Sequence, residues 1–334
     1  MELNYVIDKS TIAEILSYPL LIEHLRQSFS KSSSFEIPER QHYALNVEEE
    51  GLQEEERSSS GAGTLLLMPA WCQAPQSAYI GVKIVSVFPG NGSRGLPAVA
   101  GSYFLSSSET GRPLAVMDGT ELTLWRTACA SALAADILAR KDSQVMVMVG
   151  SGALAPHLIK AHLCIRPTLK KIVIWNRTYS NACKLAKTLR ATKSLSGKEI
   201  DACFDLETAV RNGDLVSCAT LSNAPLVLGS WLAPGTHLDL VGSFTPSMRE
   251  CDDEAVKLAR VFVDTEAAVK ESGDLQQPIS RNVISETHVV GTLADLTQAK
   301  VTGRHTAEEI TLFKSVGTAL EDLATAQLIY EALK

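Results

Sequence analysis

Apolar residues fall into two rhythms along this chain, with a change of character near residue 120. Residues 10–30 predict a helix opened by Ser10 or Thr11, with Ile12, Ile15, Leu16, Leu20, Leu21, Leu25 and Phe29 available for one face. Short strand-like runs follow at Gln41–Val47, Gly63–Met68, Ala78–Phe88, Gly101–Leu105 and Pro113–Asp118. Turn signals at Pro89–Gly92, Thr110–Gly111 and Asp118–Gly119 separate them. Closely spaced strands with short turns predict an antiparallel sheet. Glu121–Arg140 then predicts a helix leading into βα alternation. Its strands are Val145–Val149, Lys171–Trp175, Leu215–Thr220, His237–Val241 and Arg260–Asp264. Its helices are Ser180–Leu189, Asp205–Asn212, Asp252–Leu258 and Glu266–Lys270. Thr306–Leu333 reads as a single amphipathic helical stretch, long enough to return to the first domain.

The alternating part opens on a glycine turn. After the apolar run Val145–Val149 come Gly150, Gly152 and Ala155, a G-x-G-x-x-A pattern, with Ala153 and Leu154 inside it. In a βαβ unit the first glycine makes a tight turn and the second lets backbone approach a pyrophosphate. The small third residue lets helix and strand pack closely. The following helix start offers N–H groups to phosphate. Gly150, Gly152, Ala153 and Leu154 are therefore assigned to a dinucleotide. The end of the second strand bears on which one. An acid there would accept from a ribose 2′-hydroxyl, but this chain has Asn176, Arg177 and Thr178, and no Asp or Glu from Ser143 to Lys198. A guanidinium suits a 2′-phosphate because its planar fork pairs two oxygens. The expected cofactor is NADP(H) in preference to NAD(H), with its phosphate at Asn176, Arg177 and Thr178.

Composition narrows the class. The chain has 334 residues, 45% apolar, with a net charge of −7. That length suggests two domains, and the acidic balance argues against nucleic acid as a partner. No run is long and apolar enough for a membrane span. Acids at Glu2, Asp8, Glu14 and Glu23 fit neither a signal nor a transit peptide. Seven scattered cysteines read as reduced thiols and seven histidines show no metal-ligand spacing. The expectation is a cytoplasmic protein without metal, with a plastid location left open. The tract 47–62, with six glutamates and a Ser/Gly run, reads as a solvated loop. Three cations stand in apolar or strand contexts: Arg40, Lys83 in GVKIVSVF and Arg126 in LTLWRTACASALAA. A buried charge needs a partner, and no neighbouring acid serves Lys83. The residues alone leave it equally a snorkelling lysine or part of an anion site.

The blocks GVKIVSVFPGN, GLPAVAGSYFLSSSETGRPLAVMDGTELTLWRTACASALAA, VGSGALA, WNRT and EEITLFKSVGTALEDLATAQL together resemble the ornithine cyclodeaminase/mu-crystallin family over nearly the whole chain. The resemblance implies an α/β protein in which a Rossmann-type dinucleotide-binding domain, 126–304, is inserted in a discontinuous α+β substrate and dimerisation domain, 1–125 and 305–334. The acidic tract 47–62 reads as an insertion. The family also implies a homodimer that uses a nicotinamide cofactor on C–N bonds of small amino acids. By motif position Arg40, Lys83 and Arg126 would hold the substrate carboxylate. Arg126 and Thr127 would meet the cofactor phosphates. Thr220, Ser222, Val241, Gly242, Ser243, Ser315 and Val316 would lie beside the cofactor. Ornithine cyclodeaminases carry an Asp where this chain has Phe244, and a phenyl ring moves no proton. The expected activity is therefore that of the ketimine reductase branch: NADPH-dependent reduction of Δ1-piperideine-2-carboxylate or Δ1-pyrroline-2-carboxylate, with Lys83 supplying or stabilising the iminium proton. The alternatives are an ornithine cyclodeaminase or amino-acid dehydrogenase, and an NADPH- and ligand-binding mu-crystallin-like protein with little turnover.

Overall fold

In the computed structural model, which describes residues 5–45, 63–72, 79–97 and 99–334, the chain begins with β1 (Tyr5–Ile7), α1 (Lys9–Ile15) and α2 (Tyr18–Ser30). The sheet strands β2 (Phe35–Glu36), β3 (Gln41–Leu45), β4 (Gly63–Cys72), β5 (Tyr79–Val87), β6 (Val99–Ser107) and β7 (Pro113–Asp118) follow. After α3 (Gly119–Leu138) come β8 (Val145–Val149), α4 (Ala155–Ile165), β9 (Lys171–Trp175), α5 (Tyr179–Arg190), β10 (Glu199–Cys203), α6 (Leu206–Arg211) and β11 (Leu215–Cys218). The last third holds β12 (His237–Leu240), α7 (Asp253–Leu258), β13 (Arg260–Val263), α8 (Ala268–Glu271), α9 (Gly273–Ser280), β14 (Val289–Thr292), α10 (Leu293–Thr297), β15 (Thr311–Lys314) and α11 (Ala319–Glu331). The acidic tract 47–62 lies outside the described residues.

Two compact units result. One comprises residues 1–17, 31–126 and 318–334, and the other 18–30 and 127–317. The chain passes from the first to the second inside α3, between Arg126 and Thr127, and returns between Gly317 and Thr318. The return falls later than residue 305 because Thr311–Lys314 is a fully buried strand of the second unit's sheet and not the start of a helix. The expected helix over 10–30 is two helices. Asp8 caps α1 by accepting from Thr11 N–H, and Pro19 stands in the first turn of α2, where its missing N–H costs nothing. Of the two, α2 groups with the second unit.

The first unit is a seven-stranded sheet in the order β1-β7-β6-β5-β4-β2, with β3 also on β4. All pairs are antiparallel except β1 with β7. Cross-strand register places Met68, Lys83, Tyr103 and Met117 in one row, and all four are buried. Directly opposed residues share a face, and α11 packs along this one, against β4, β5 and β6. The opposite face carries Leu67, Trp71, Val82, Ile84, Phe104 and Val116 at the alternate positions, all partly or fully exposed.

The second unit is an eight-stranded sheet, parallel throughout, in the order β10-β9-β8-β11-β12-β15-β13-β14. A strand covered on both sides reads as a continuous apolar run, and the Val-Met-Val-Met-Val of β8 is such a strand, with four of its five residues fully buried. Strand order reverses between β8 and β11, where the crossovers diverge to either side. Open parallel sheets bind ligands at that switch point, beyond the carboxyl ends of the strands. Among the described residues no helix is long and apolar enough to cross a membrane.

Candidate active site

The switch point of the second unit holds a cavity of about 320 Å³. Its walls are the turn Gly150–Gly152, the end of β9 with Trp175–Thr178 and Asn181, and the exit of β11 with Ala219–Ser222 and Leu226. Backbone bonds join the three walls: Gly150 N–H donates to the Trp175 carbonyl at 2.8 Å, and Ala219 N–H donates to that of Val149 at 2.9 Å. Gly150 has φ +111°, and a Cβ there would lie 2.5 Å from the Ala219 carbonyl oxygen. At Gly152 an added Cβ would meet nothing within 4 Å. The first glycine is thus required by the fold, while the second leaves open space beside the backbone. No side chain caps the start of α4, where Leu154 is the cap residue and Pro156 stands in the first turn; Ala155 and His157 N–H donate to the Gly152 and Leu154 carbonyls. Arg177 is exposed at the cavity, with no acidic partner among the described residues, and Asn176 Nδ2 donates to the Thr178 carbonyl at 3.0 Å. These features fit a phosphate-bearing dinucleotide.

Other residues assigned to this region serve the protein's own backbone and hydroxyls. Gly242 and Ser243 N–H donate to Glu250, and the Ser243 hydroxyl bonds the Met248 carbonyl and Ser272. The Ser315 hydroxyl and Val316 N–H both donate to Asp264. Val241 and Thr127 are buried, and Ser222 bonds the Ala224 carbonyl at the cavity rim. Phe244 is partly exposed. Asp274 is fully buried and accepts from Glu250 and Cys251 N–H.

The first unit holds a different constellation. Lys83, 2% exposed, places Nζ 2.8 Å from each carboxylate oxygen of Asp322. Arg126 lies 2.7 Å from Glu321 through Nη1 and 3.0 Å from Asp322 through Nε. Two buried cations meet two buried carboxylates, which is the arrangement burial demands. The acids stand in the first turn of α11, capped by Thr318, at the end where the helix dipole favours negative charge. Tyr103, beside Lys83 in register, puts its hydroxyl over Gly81, where a Cβ would lie 1.8 Å from it. That hydroxyl finds no hydrogen-bond partner among the described residues. Burial lowers the Lys83 pKa to about 8, helped by Arg126 and opposed by Asp322 and Glu321. Burial and the Asp322 charge raise the Tyr103 phenol well above its ordinary value.

Sequence reading found Lys83 and Arg126 but not their acids, nor Tyr103. The missing partner of Lys83 stands 239 residues away. One signal was available: Glu321-Asp322 interrupts an otherwise apolar run, as Lys83 does in β5. Arg40, half-buried, precedes β3 by one residue. Continuing that register sets it opposite Met68, whose other neighbour is Lys83. Asp118 accepts from Glu121 N–H, and Glu121 accepts from the Trp125 indole, so both serve the start of α3.

A parallel sheet of this order with a glycine turn at its switch point defines a Rossmann-type dinucleotide-binding fold. The model of the ornithine cyclodeaminase/mu-crystallin family matches residues 21–334, and the chain belongs to that family. It is similar to Protein SAR DEFICIENT 4 of Arabidopsis thaliana, 47% identical over 97% of this chain and 96% of that protein. The Δ1-pyrroline-2-carboxylate reductase of Colwellia psychrerythraea is 36% identical, covering 98% of this chain and 99% of that one. The solved structure of Thermococcus litoralis Δ1-pyrroline-2-carboxylate reductase in complex with NADH and L-proline superposes with a TM-score of 0.87 at 34% identity, covering 98% and 96% of the two chains.

The two glycines predict opposite phenotypes. Gly150→Ala is expected to destabilise the fold by about 1–3 kcal/mol, from strain and the carbonyl clash. Gly152→Ala should leave the melting temperature unchanged yet weaken binding of a nicotinamide dinucleotide about tenfold or more, a loss of about 1.4 kcal/mol. Thermal melts paired with fluorescence titration check both.

Proposed function

We propose that this chain is a nicotinamide-dependent oxidoreductase that reduces the C=N bond of a cyclic imino acid, preferring NADPH. The expected substrates are Δ1-piperideine-2-carboxylate and Δ1-pyrroline-2-carboxylate, giving pipecolate and proline. The buried Lys83–Asp322 and Arg126–Glu321 cluster carries this reading, because a protonated ketimine bearing a carboxylate has one charge of each sign. Arg126 can pair a carboxylate with two donors, and Arg40 stands near in register. Asp322 supplies the anion that favours a cationic ring nitrogen. Lys83, with a pKa of about 8, is charged at neutral pH and yields its proton readily. It donates to the imine nitrogen, and the Tyr103 hydroxyl can donate a hydrogen bond to the same region. The nicotinamide, when bound, supplies the hydride to the imine carbon. The glycine cavity and the Asn176-Arg177-Thr178 segment support the dinucleotide site, with Arg177 on a 2′-phosphate.

In this reading the second unit binds the dinucleotide and the first binds the imino acid and builds a homodimer. The apolar outer face of the seven-stranded sheet, with Trp71 and Phe104 exposed, supports the dimer. Seven cysteines without a disulfide support a reducing, cytoplasmic setting.

The direct test follows loss of NADPH absorbance with each imino acid. Turnover with either ring is the expected result; tight NADPH binding with no turnover would leave a binding protein. Arg177→Ala should raise KM for NADPH about tenfold or more, the worth of a charge-assisted contact, and leave KM for NADH nearly unchanged. Equal losses would remove Arg177 from the 2′-phosphate. Asp322→Asn removes a charge that raises the Lys83 pKa. The alkaline fall in kcat/KM, expected near pH 8 in the parent, should therefore move to lower pH. A limb that stays in place would take Lys83 out of proton transfer.

A further inference from the structure

Glu250 is fully buried in the loop between β12 and α7, and it belongs to none of the groups assigned above. Its two carboxylate oxygens serve two different strand exits. Oε1 accepts from the Thr220 N–H at 2.7 Å and the Thr220 hydroxyl at 2.9 Å, just beyond β11. Oε2 accepts from Gly242 N–H at 2.6 Å and Ser243 N–H at 3.3 Å, just beyond β12. The exits are pressed together: a Cβ on Gly242 would lie 2.0 Å from the Thr220 carbonyl oxygen and 2.4 Å from Glu250 Oε1. Thr220 is itself part of the cavity wall at the switch point.

The carboxylate is held from behind. Glu250 N–H donates to Asp274 Oδ1 at 2.7 Å, and Lys314 Nζ lies 3.4 Å from Asp274 and 4.0 Å from Glu250. Lys314 is fully buried at the end of β15, so one buried cation faces two buried acids. A core carboxylate is costly to bury. Donors from two loops offset part of that cost, although burial still raises the Glu250 pKa to about 7; an apolar residue there would satisfy neither loop.

We propose that Glu250 is a positioning residue for the dinucleotide: its divided carboxylate clamps the Thr220 loop to the Gly242–Ser243 loop and so fixes one wall of the cofactor cavity. This rests on the dinucleotide reading of that cavity. The clamp requires an acceptor on both sides. Glutamine offers one, and its NH2 must then oppose either the Thr220 or the Gly242 N–H. Each buried donor left unpaired costs about 1–3 kcal/mol, enough to let the two exits part.

The test is a pair of full-length variants, E250Q and E250D; the second keeps a charge beside Lys314 on a stem one methylene too short to reach both exits. NADPH affinity is read by fluorescence titration, stability by thermal melting, and KM against kcat with a cyclic imino acid. E250Q should raise the NADPH Kd and KM about tenfold or more while kcat at saturating NADPH stays within about twofold, the pattern of lost uniform binding. E250D should lose affinity as E250Q does. Parent affinity in E250D would show that the buried charge alone matters and overturn the proposal. An unchanged Kd in E250Q would also overturn it. A parent protein that binds neither NADPH nor NADH would overturn the dinucleotide reading and the clamp together.

Discussion

A carboxylate taken out of water needs cations or hydrogen-bond donors in its place, and that constraint places the chain's interior acids. Asp322 and Glu321 meet Lys83 and Arg126 in the first unit. In the second, Asp264 collects the Ser315 hydroxyl and the Val316 and Gly317 N–H groups, and Glu250 collects Thr220, Gly242 and Ser243. Strand exits in a parallel sheet leave backbone N–H groups without ladder partners. Acids at those exits satisfy the donors and shape the loops in one stroke. Part of the second unit's polar interior therefore lies where loops must be held in one conformation, and a second part lies within the strands, where Asp239 bonds His162 and Ser217, and His237 bonds Thr311.

The same principle separates what was legible in the sequence from what was not. The apolar runs Val145–Val149 and Lys171–Trp175, with the glycine turn between, coincide with β8, α4 and β9, because a doubly covered strand admits little else. Thr311–Lys314 was hidden inside a longer apolar stretch. A four-residue buried run carries too little period to be told from helix. Glu199–Cys203 escaped because it pairs on one side only, at the sheet's edge, and includes Glu199 and Asp201. Pro19 divides an amphipathic stretch whose apolar spacing runs on across the break.

For the sites, residue chemistry was readable one element at a time. Gly150, Gly152 and Arg177 announce themselves because turn, open space and missing acid are local facts. Lys83 could be marked as unusual, yet its meaning depended on Asp322, a residue with no sequence tie to it. Glu250 was less visible still: an acid in a loop is ordinary, and only the meeting of two strand exits makes it otherwise. Pairwise physics across long separations was the information that a single sequence did not display.

The crossings between the two units have a consequence for how such a protein can change. The chain leaves the first unit inside α3 immediately after Arg126, and re-enters it one residue before the helix that bears Glu321 and Asp322. A recombination event that exchanged the parallel-sheet unit as a cassette would have to cut a continuous helix at a charged-cluster residue. It would also have to splice in α2 from a separate stretch near the amino terminus. Lineages built on this plan are thus poorly suited to acquiring new cofactor modules by shuffling, and well suited to altering substrate choice by point substitution within a fixed pair of partners.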